Sequence, residues 1–196
     1  TLRGDARQFD GKFIPEEEGH PYAIDLIKQV VDMNKGRYLH EDIENGSKTD
    51  FCIGIAGYPE KHFEAPSIGS DIDVVKQKIE AGADYIVTQL FFDNKRYFEF
   101  VDKCRSAGIT VPIIPGIKPI ATKKQLSMLP NRFNVDIPDD LALEIVKCKD
   151  NQEARKVGIE WSIAQSKELM KANVPVLHFY SMGKSDNIYK IAKELF

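Results

Sequence analysis

Four short runs of apolar residues, rich in β-branched and aromatic side chains, recur along the chain at 51–58, 85–92, 111–117 and 176–180. Their apolar character is nearly continuous and does not alternate with polar positions. Such runs are typical of strands that are buried on both faces of a parallel sheet. A further strand fragment is expected to end near Arg3.

Between the predicted strands, apolar residues repeat at the spacing of one helix face. One set of repeats lies at 23–31, and others lie at 72–79, 97–104, 141–146 and 159–170. Gly82 and Gly108 each follow one of these patterns, at the position where a left-handed helix cap favours glycine. The sequence therefore predicts strands that alternate with helices.

This alternation fits either an open doubly wound sheet or a closed (β/α)8 barrel. A glycine-rich dinucleotide-binding fingerprint would favour the open sheet, and none follows the first predicted strand. A TIM barrel needs about 250 residues for its eight units. The 196 residues here supply about five of them. We expect a single domain over 1–196 that forms the last five β/α units of a TIM barrel, without the N-terminal strands.

Composition and charge argue against nucleic acid, a membrane and a metal ion as partners. The 27 Lys and Arg residues against 30 Asp and Glu give a net charge of −3, which provides no basic surplus for nucleic acid or an anionic membrane. No apolar run reaches the length of a membrane span, and the first residues lack the pattern of a secretory signal, so we expect a cytoplasmic protein. The cysteines, Cys52, Cys104 and Cys148, form no metal-ligand pattern, and we expect buried free thiols and no metal site.

Polar residues follow the predicted strands, at the edge of a parallel sheet where ligands bind. Gln89 stands inside an apolar run, and a buried amide without partners costs about 1–3 kcal/mol, so we expect it to face a ligand. Glu60 and His62 follow the first run, and Lys118 follows the third. His178, within the last run, is expected to be a packed imidazole.

Five motifs occur in order along nearly the whole chain. They are Leu2-Arg3-Gly4-Asp5, the segment 56–62 (AGYPEKH), the segment 81–92 (AGADYIVTQLFF), Pro115-Gly116-Ile117 with Pro119, and His178-Phe179-Tyr180. Together they resemble the methylenetetrahydrofolate reductase family. The resemblance implies a TIM-barrel flavoprotein that binds FAD, takes a hydride from NADH or NADPH, and reduces 5,10-methylenetetrahydrofolate to 5-methyltetrahydrofolate. It also implies a folate partner, and we expect a homo-oligomer.

The resemblance assigns roles to particular positions. Asp5 and Gln89 match catalytic residues; Asp5 would place a negative charge near the flavin and favour hydride donation. The positions that match flavin contacts are Arg3, Gly4, Asp5, Tyr22, Ala23, Tyr58, His62, Asp71 and Lys78. The positions that match substrate contacts are Gln89, Gln125, Leu129 and Lys184.

The chain departs from the family pattern at three points. Lys184 stands where an arginine is expected near the folate tail, and lysine keeps the charge but loses the bidentate fork. Leu129 stands where some members carry phenylalanine. The family's general-acid glutamate belongs to the first strands of the barrel, so we expect a truncated fragment with weak turnover. Two alternatives stay open: another barrel enzyme, such as an aldolase or lyase that uses Lys118, and a non-catalytic half-barrel for binding or assembly.

Overall fold

The computed structural model describes residues 1–3, 13–40, 42–183 and 185–196. Gly4, Asp5 and Lys184 therefore lie outside the described residues. The elements in chain order are α1 (Ala23–Asn34), β1 (Gly54–Gly57), α2 (Ile68–Glu80), β2 (Tyr85–Leu90), α3 (Asn94–Ser106), β3 (Ile113–Ile117), α4 (Gln125–Phe133), α5 (Asp139–Lys147), α6 (Asn151–Lys171), β4 (His178–Phe179) and α7 (Asp186–Leu195). No helix in these ranges is both long and apolar enough to cross a membrane.

The four strands form one parallel sheet in the order β1-β2-β3-β4, which confirms the predicted α/β fold. Each strand is shorter than its apolar run. Residues 1–3 contain no strand, contrary to the expected fragment near Arg3, although the backbone nitrogen of Thr1 contacts the carbonyl oxygen of Gly54 at the outer edge of β1. The barrel and its number of units stay predictions.

The two faces of the sheet differ in burial. Ile55, Ile86 and Ile113 are in register on one face and are buried beneath helices in the main hydrophobic core. Their neighbours Ala56, Val87 and Ile114 are also in register but only half-buried. The expectation that the strands are buried on both faces is therefore wrong for this second face, which we call the open face.

A second hydrophobic cluster, which includes Leu90, Phe92, Leu129 and Leu141, packs at the carboxyl ends of the strands. Helix α6 holds this end of β2 through Trp161 Nε1 and Gln165 Nε2, which donate to the carbonyl oxygens of Phe92 and Phe91, both at 3.0 Å.

The close approach of α6 requires glycine. A Cβ at Gly158 would lie 1.9 Å from the carbonyl oxygen of Ile120, well inside van der Waals contact. The helix therefore packs directly on the backbone that follows β3.

Two helices are absent from the sequence prediction. Helix α4 contains Pro130, which interrupts the backbone hydrogen bonds, but Leu129 anchors the helix in the second cluster. Helix α7 buries Ile191. Two smaller predictions were wrong: Cys52 is exposed, and His178 is exposed on β4, where its partner in the neighbouring strand is Gly116, which has no side chain to cover it.

Candidate functional site

A charged cluster gathers between residue 3, the loop after β1 and one side of α2. It consists of Arg3, His62, Glu64, Asp71 and Lys78. The Arg3 guanidinium pairs with the Glu64 carboxylate at 2.5 Å, and the backbone N–H of His62 donates to Asp71 Oδ2 at 2.8 Å. Four of the predicted flavin contacts are thus brought together from three separate segments.

Helix α2 positions two members of this cluster. Ser67 caps its first turn by accepting from the backbone N–H of Ser70, and Asp71 follows near the positive end of the helix, where a carboxylate is favoured. Lys78 lies two turns further on the same side. Asp71 is only 6% exposed, so its charge needs the neighbouring donors.

The cluster holds two cations and two carboxylates. Burial lowers the pKa of Lys78, and the Arg3 charge lowers it further, while Asp71 acts in the opposite direction. The buried Asp71 and the more exposed Glu64, which pairs with Arg3, offset the two cations.

His62 is held as a neutral ring. Burial is the main cause that lowers its pKa, with Arg3 and Lys78 adding to the effect and Glu64 and Asp71 opposing it. Its Nδ1 accepts from the backbone N–H of Glu64 at 3.2 Å, so the proton lies on Nε2, which can donate.

Tyr58 joins the charged cluster through its ring, which stands edge-on to His62 with the centroids 4.6 Å apart. The other two described flavin candidates lie at the start of α1. Tyr22 is 62% exposed at the start of α1, and Ala23 is the first residue of that helix.

Gln89 lies on the open face of β2, like Val87, and is half-buried rather than enclosed. Its Oε1 accepts from the backbone N–H of Leu90 at 2.9 Å. Its Nε2 has no hydrogen-bond partner within the described part of the chain. The amide is therefore held by its oxygen and leaves its nitrogen free to donate.

The two other described substrate candidates lie on α4. Gln125 Oε1 accepts from the backbone N–H groups of Ala121 at 2.6 Å and Thr122 at 3.0 Å. Leu129 is 0% exposed in the second hydrophobic cluster. Its burial argues against the predicted ligand contact, because a ligand could reach it only if α4 moved.

Lys118 directly follows β3 and is 8% exposed. Burial lowers the pKa of its amine, and no carboxylate among the described residues pairs with it. The lysine that the aldolase alternative needs is thus a buried amine.

Glu60 lies deeper in this region than its loop position indicates. Burial raises its pKa to about 7, with Asp136 and Asp93 adding to the effect, while the backbone hydrogen bond from Asp136 and the charge of Arg96 oppose it. Its Oε2 accepts from the backbone N–H of Asp136. A cavity of about 350 Å³ borders it, lined also by Arg96 and Asn134.

Asn134 is a residue that sequence reasoning missed. It ends α4 in the left-handed conformation, a common place for asparagine. That local signal was present in the sequence, but nothing local connects Asn134 with the loop after β1.

Comparisons with known proteins agree on one family. The model of the family described as methylenetetrahydrofolate reductase matches residues 1–196. The chain is 36% identical over 196 residues to "5,10-methylenetetrahydrofolate reductase" of Escherichia coli, covering 100% of this chain and 59% of that protein. It is 33% identical over 205 residues to "Methylenetetrahydrofolate reductase (NADH) 1" of Zea mays, covering 100% of this chain and 32% of that protein. The chain thus spans less than two thirds of these relatives.

A solved structure shares the fold. Its title is "Uncharacterized protein from Clostridium thermocellum binds two copies of 5-methyl-5,6,7,8-tetrahydrofolic acid". It matches with a TM-score of 0.53 and 21% identity, over 74% of this chain and 52% of that chain. At this identity the likeness concerns the fold alone.

Proposed function

The chain belongs to the methylenetetrahydrofolate reductase family, and from that premise we propose that it serves the reduction of 5,10-methylenetetrahydrofolate to 5-methyltetrahydrofolate. NADH or NADPH would be the hydride donor and FAD the bound cofactor. The observation that carries the proposal is the charged cluster at the carboxyl end of β1, with two cations near one buried carboxylate.

The charged cluster fits the diphosphate of FAD. Burial is the main cause that lowers the pKa of Lys78, with a smaller contribution from Arg3, and a diphosphate would stabilise the charged amine through charge-assisted hydrogen bonds. It would compete with Glu64 for Arg3. When bound, the flavin supplies hydride acceptance and donation, and the protein supplies placement and electrostatics.

The other residues would bind and orient. The His62 Nε2–H is available as a neutral donor, and Asp71 holds the backbone of His62 in place. The Gln89 Nε2–H is free to donate to a carbonyl group of the pterin or the nicotinamide. We keep Asp5 as the proposed catalytic carboxylate and Lys184 as the proposed contact of the folate tail, both on the family resemblance.

We propose that the open face, with Ala56, Val87 and Ile114, lines the interior of a complete (β/α)8 barrel in the whole protein. Apolar side chains that are half-buried on a sheet face are normally covered by further packing. The longer relatives are consistent with additional strands of the same domain. The homo-oligomer also stays a proposal.

Purification of the intact protein tests the function. Yellow protein with flavin absorbance, anaerobic bleaching by NADH or NADPH, and reoxidation by 5,10-methylenetetrahydrofolate with formation of 5-methyltetrahydrofolate would support it. A colourless protein that binds no added FAD would overturn it and favour a non-catalytic module.

Gln89→Glu tests the placement of the amide. The carboxylate keeps an oxygen for the backbone N–H of Leu90 but removes the free Nε2 donor. We expect folate affinity to fall about 5–10-fold, while FAD retention stays unchanged, since one hydrogen bond is worth about 1–1.5 kcal/mol. Loss of flavin with normal folate kinetics would show that Gln89 faces the wrong ligand.

Buried Lys118 supports a second candidate, a lyase that forms an imine, because a desolvated amine is more often neutral and nucleophilic. Borohydride reduction in the presence of an aldehyde substrate, followed by peptide mass spectrometry, tests it. Covalent trapping at Lys118 that is lost in Lys118→Met would favour the lyase. Absence of trapping in a yellow, active protein would exclude it.

A further inference from the structure

The loop after β1 is joined to the end of α4 by two hydrogen bonds between residues far apart in sequence. The backbone N–H of Asp136 donates to Glu60 Oε2. Asn134 Nδ2 donates to the carbonyl oxygen of Lys61 at 3.3 Å. We call this pair of contacts the clasp, with Glu60 and Lys61 on one side and Asn134 and Asp136 on the other.

Both sides of the clasp adopt backbone conformations that ordinary residues avoid. Lys61 has a φ of 82° and Asn134 a φ of 53°, and such conformations persist where the surroundings over-determine them. Lys61 Nζ closes its own loop by donating to the carbonyl oxygens of His62 at 3.0 Å and Ala65 at 2.6 Å. The loop is thus a preformed unit that presents the Lys61 carbonyl to Asn134.

The clasp connects the two sides of the candidate site. Glu60 and Lys61 stand between Tyr58 and His62, whose rings are in contact. Asn134 ends α4, the helix that begins with Gln125. The two hydrogen bonds therefore tie the end of α4 to the loop that carries His62 and Glu64.

We infer that Glu60 is a positioning residue: by holding Asp136 across the clasp, it fixes the flavin-side loop relative to the substrate-side helix α4. This inference rests on the proposed function for the identity of the two ligands. It goes beyond that function because Glu60 is not among the residues assigned to either ligand and would act through α4.

The surroundings of the Glu60 carboxylate disfavour its ionised form, and a group kept in such a place indicates a specific role. Its Oε1 is buried and has no hydrogen-bond partner in the described residues. Asp136 and Asp93 repel it, and Arg96, which pairs with Asp136 at 3.2 Å, attracts it. The hydrogen bond from the Asp136 N–H opposes the rise in the pKa of Glu60 and offsets part of the cost.

Three variants of the intact protein test the inference: Glu60→Ala, Glu60→Gln and, as a matched control, Glu99→Gln. Glu99 lies on α3 and its only described pair is with Lys95 at 3.9 Å. The measurements are the dissociation constants of FAD and of 5-methyltetrahydrofolate, each with and without the other ligand. Hydrogen exchange of 58–66, 125–133 and the Asp136 amide is followed in parallel.

In Glu60→Ala we expect the effect of bound FAD on folate affinity to fall about fivefold, within the usual size of coupling between sites. The rate of amide hydrogen exchange should rise in both segments, 58–66 and 125–133. In Glu60→Gln, the effect of FAD on folate affinity and the hydrogen exchange rates should both stay as in the unmodified protein, because the amide oxygen still accepts from the Asp136 N–H. Glu99→Gln should also match the unmodified protein.

The inference is wrong if Glu60→Ala speeds exchange of the Asp136 amide alone, or lowers stability while the FAD–folate coupling is unchanged. If the unmodified protein binds neither ligand, the proposed function fails. The exchange experiment then still decides whether Glu60 holds the two segments together: independent behaviour of 58–66 and 125–133 would overturn that role, and joint loosening would support it.

Discussion

The loop after β1 and helix α4 reach the same end of the sheet, but they hold their polar groups by different means. Around the loop, ionised side chains meet at short range: Arg3 pairs with Glu64, and the buried Asp71 lies near Lys78. On the other side, Gln89 and Gln125 are neutral amides whose oxygens are already bonded to backbone N–H groups.

This difference indicates how each side would respond to a ligand. The charged side can gain from an anion because burial disfavours the charged form of Lys78, which a nearby negative charge would stabilise. The amide side is preorganised by its own backbone and offers directional N–H donors to a neutral heterocycle. Substitutions should therefore separate the two sides by ligand and by salt dependence.

The largest expected effect concerns whether Leu129 belongs to the core or to the ligand surface. Because Leu129 is 0% exposed, Leu129→Ala should lower the free energy of unfolding by about 2–5 kcal/mol, measured by denaturant titration. Leu143→Ala, on the exposed side of α5 with 57% exposure, should cost less than about 0.5 kcal/mol. If Leu129→Ala leaves the stability unchanged and weakens folate binding, Leu129 contacts the ligand and not the core.

The second prediction removes a cation from the charged side. Lys78→Met should raise the dissociation constant of FAD about 10–100-fold, since a hydrogen bond to a charged group is worth about 1.5–3 kcal/mol. Fluorescence quenching of added FAD measures it. Lys76→Met, on the exposed side of the same helix, is the control. Equal effects of both variants would remove the specific role of Lys78.

The third prediction separates the two roles of Gln125. Gln125→Ala removes the acceptor for Ala121 and Thr122 and should cost about 1 kcal/mol of stability. Gln125→Glu keeps the acceptor but replaces the amide donor by a negatively charged oxygen, so it should weaken folate binding and leave thermal stability largely unchanged. Normal folate binding in Gln125→Glu would confine Gln125 to a structural role.

The smallest expected effect is the pH dependence that Glu60 contributes. Its pKa rises from 4.5 in the unfolded chain to about 7 in the folded protein, so between these values the folded state holds more protons. Stability from this group therefore falls as the pH rises through that window, and is constant above it. The groups that face Glu60 are Asp136, Asp93 and Arg96.

Glu60→Gln removes this titration. Its melting temperature should exceed that of the unmodified protein by about 2–4 °C at pH 8, and by little at pH 4.5, where Glu60 is protonated in most molecules. Differential scanning calorimetry at both pH values measures the difference. If the difference in melting temperature between the two proteins is the same at both pH values, Glu60 is not a buried group that ionises in this range.

The sequence predicted the elements whose signal is local. The parallel strands and five of the seven helices within the described residues follow from apolar runs and helical spacing, because burial of one face imposes the period. Helix α7 carries the same signal at Ile188, Ile191 and Leu195 and could have been predicted. Helix α4 could not be, because Pro130 favours a break and only packing of Leu129 overrides it.

The sequence predicts those parts of the candidate site that lie close together along the chain, and it does not predict the parts that only the fold brings together. Asp71 and Lys78 share a helix face, so their proximity is visible in their spacing. The clasp depends on contact between residues 60–61 and 134–136, whose meeting is set by the fold and by no local pattern. Burial of Glu60, Leu129 and Lys118 likewise depends on tertiary packing.

The contact between Gly158 and Ile120 gives the molecule a remote point of sensitivity. A single methyl group at position 158 would push α6 away from the chain beyond β3, and the same helix carries the Trp161 and Gln165 side chains that hold the last carbonyl groups after β2. The chain after β2, two and three residues beyond Gln89, is therefore held in place by a helix whose position depends on this glycine, a residue with no side chain to offer a ligand. A survey of inactivating mutations would find this glycine among its hits, although it acts only through packing.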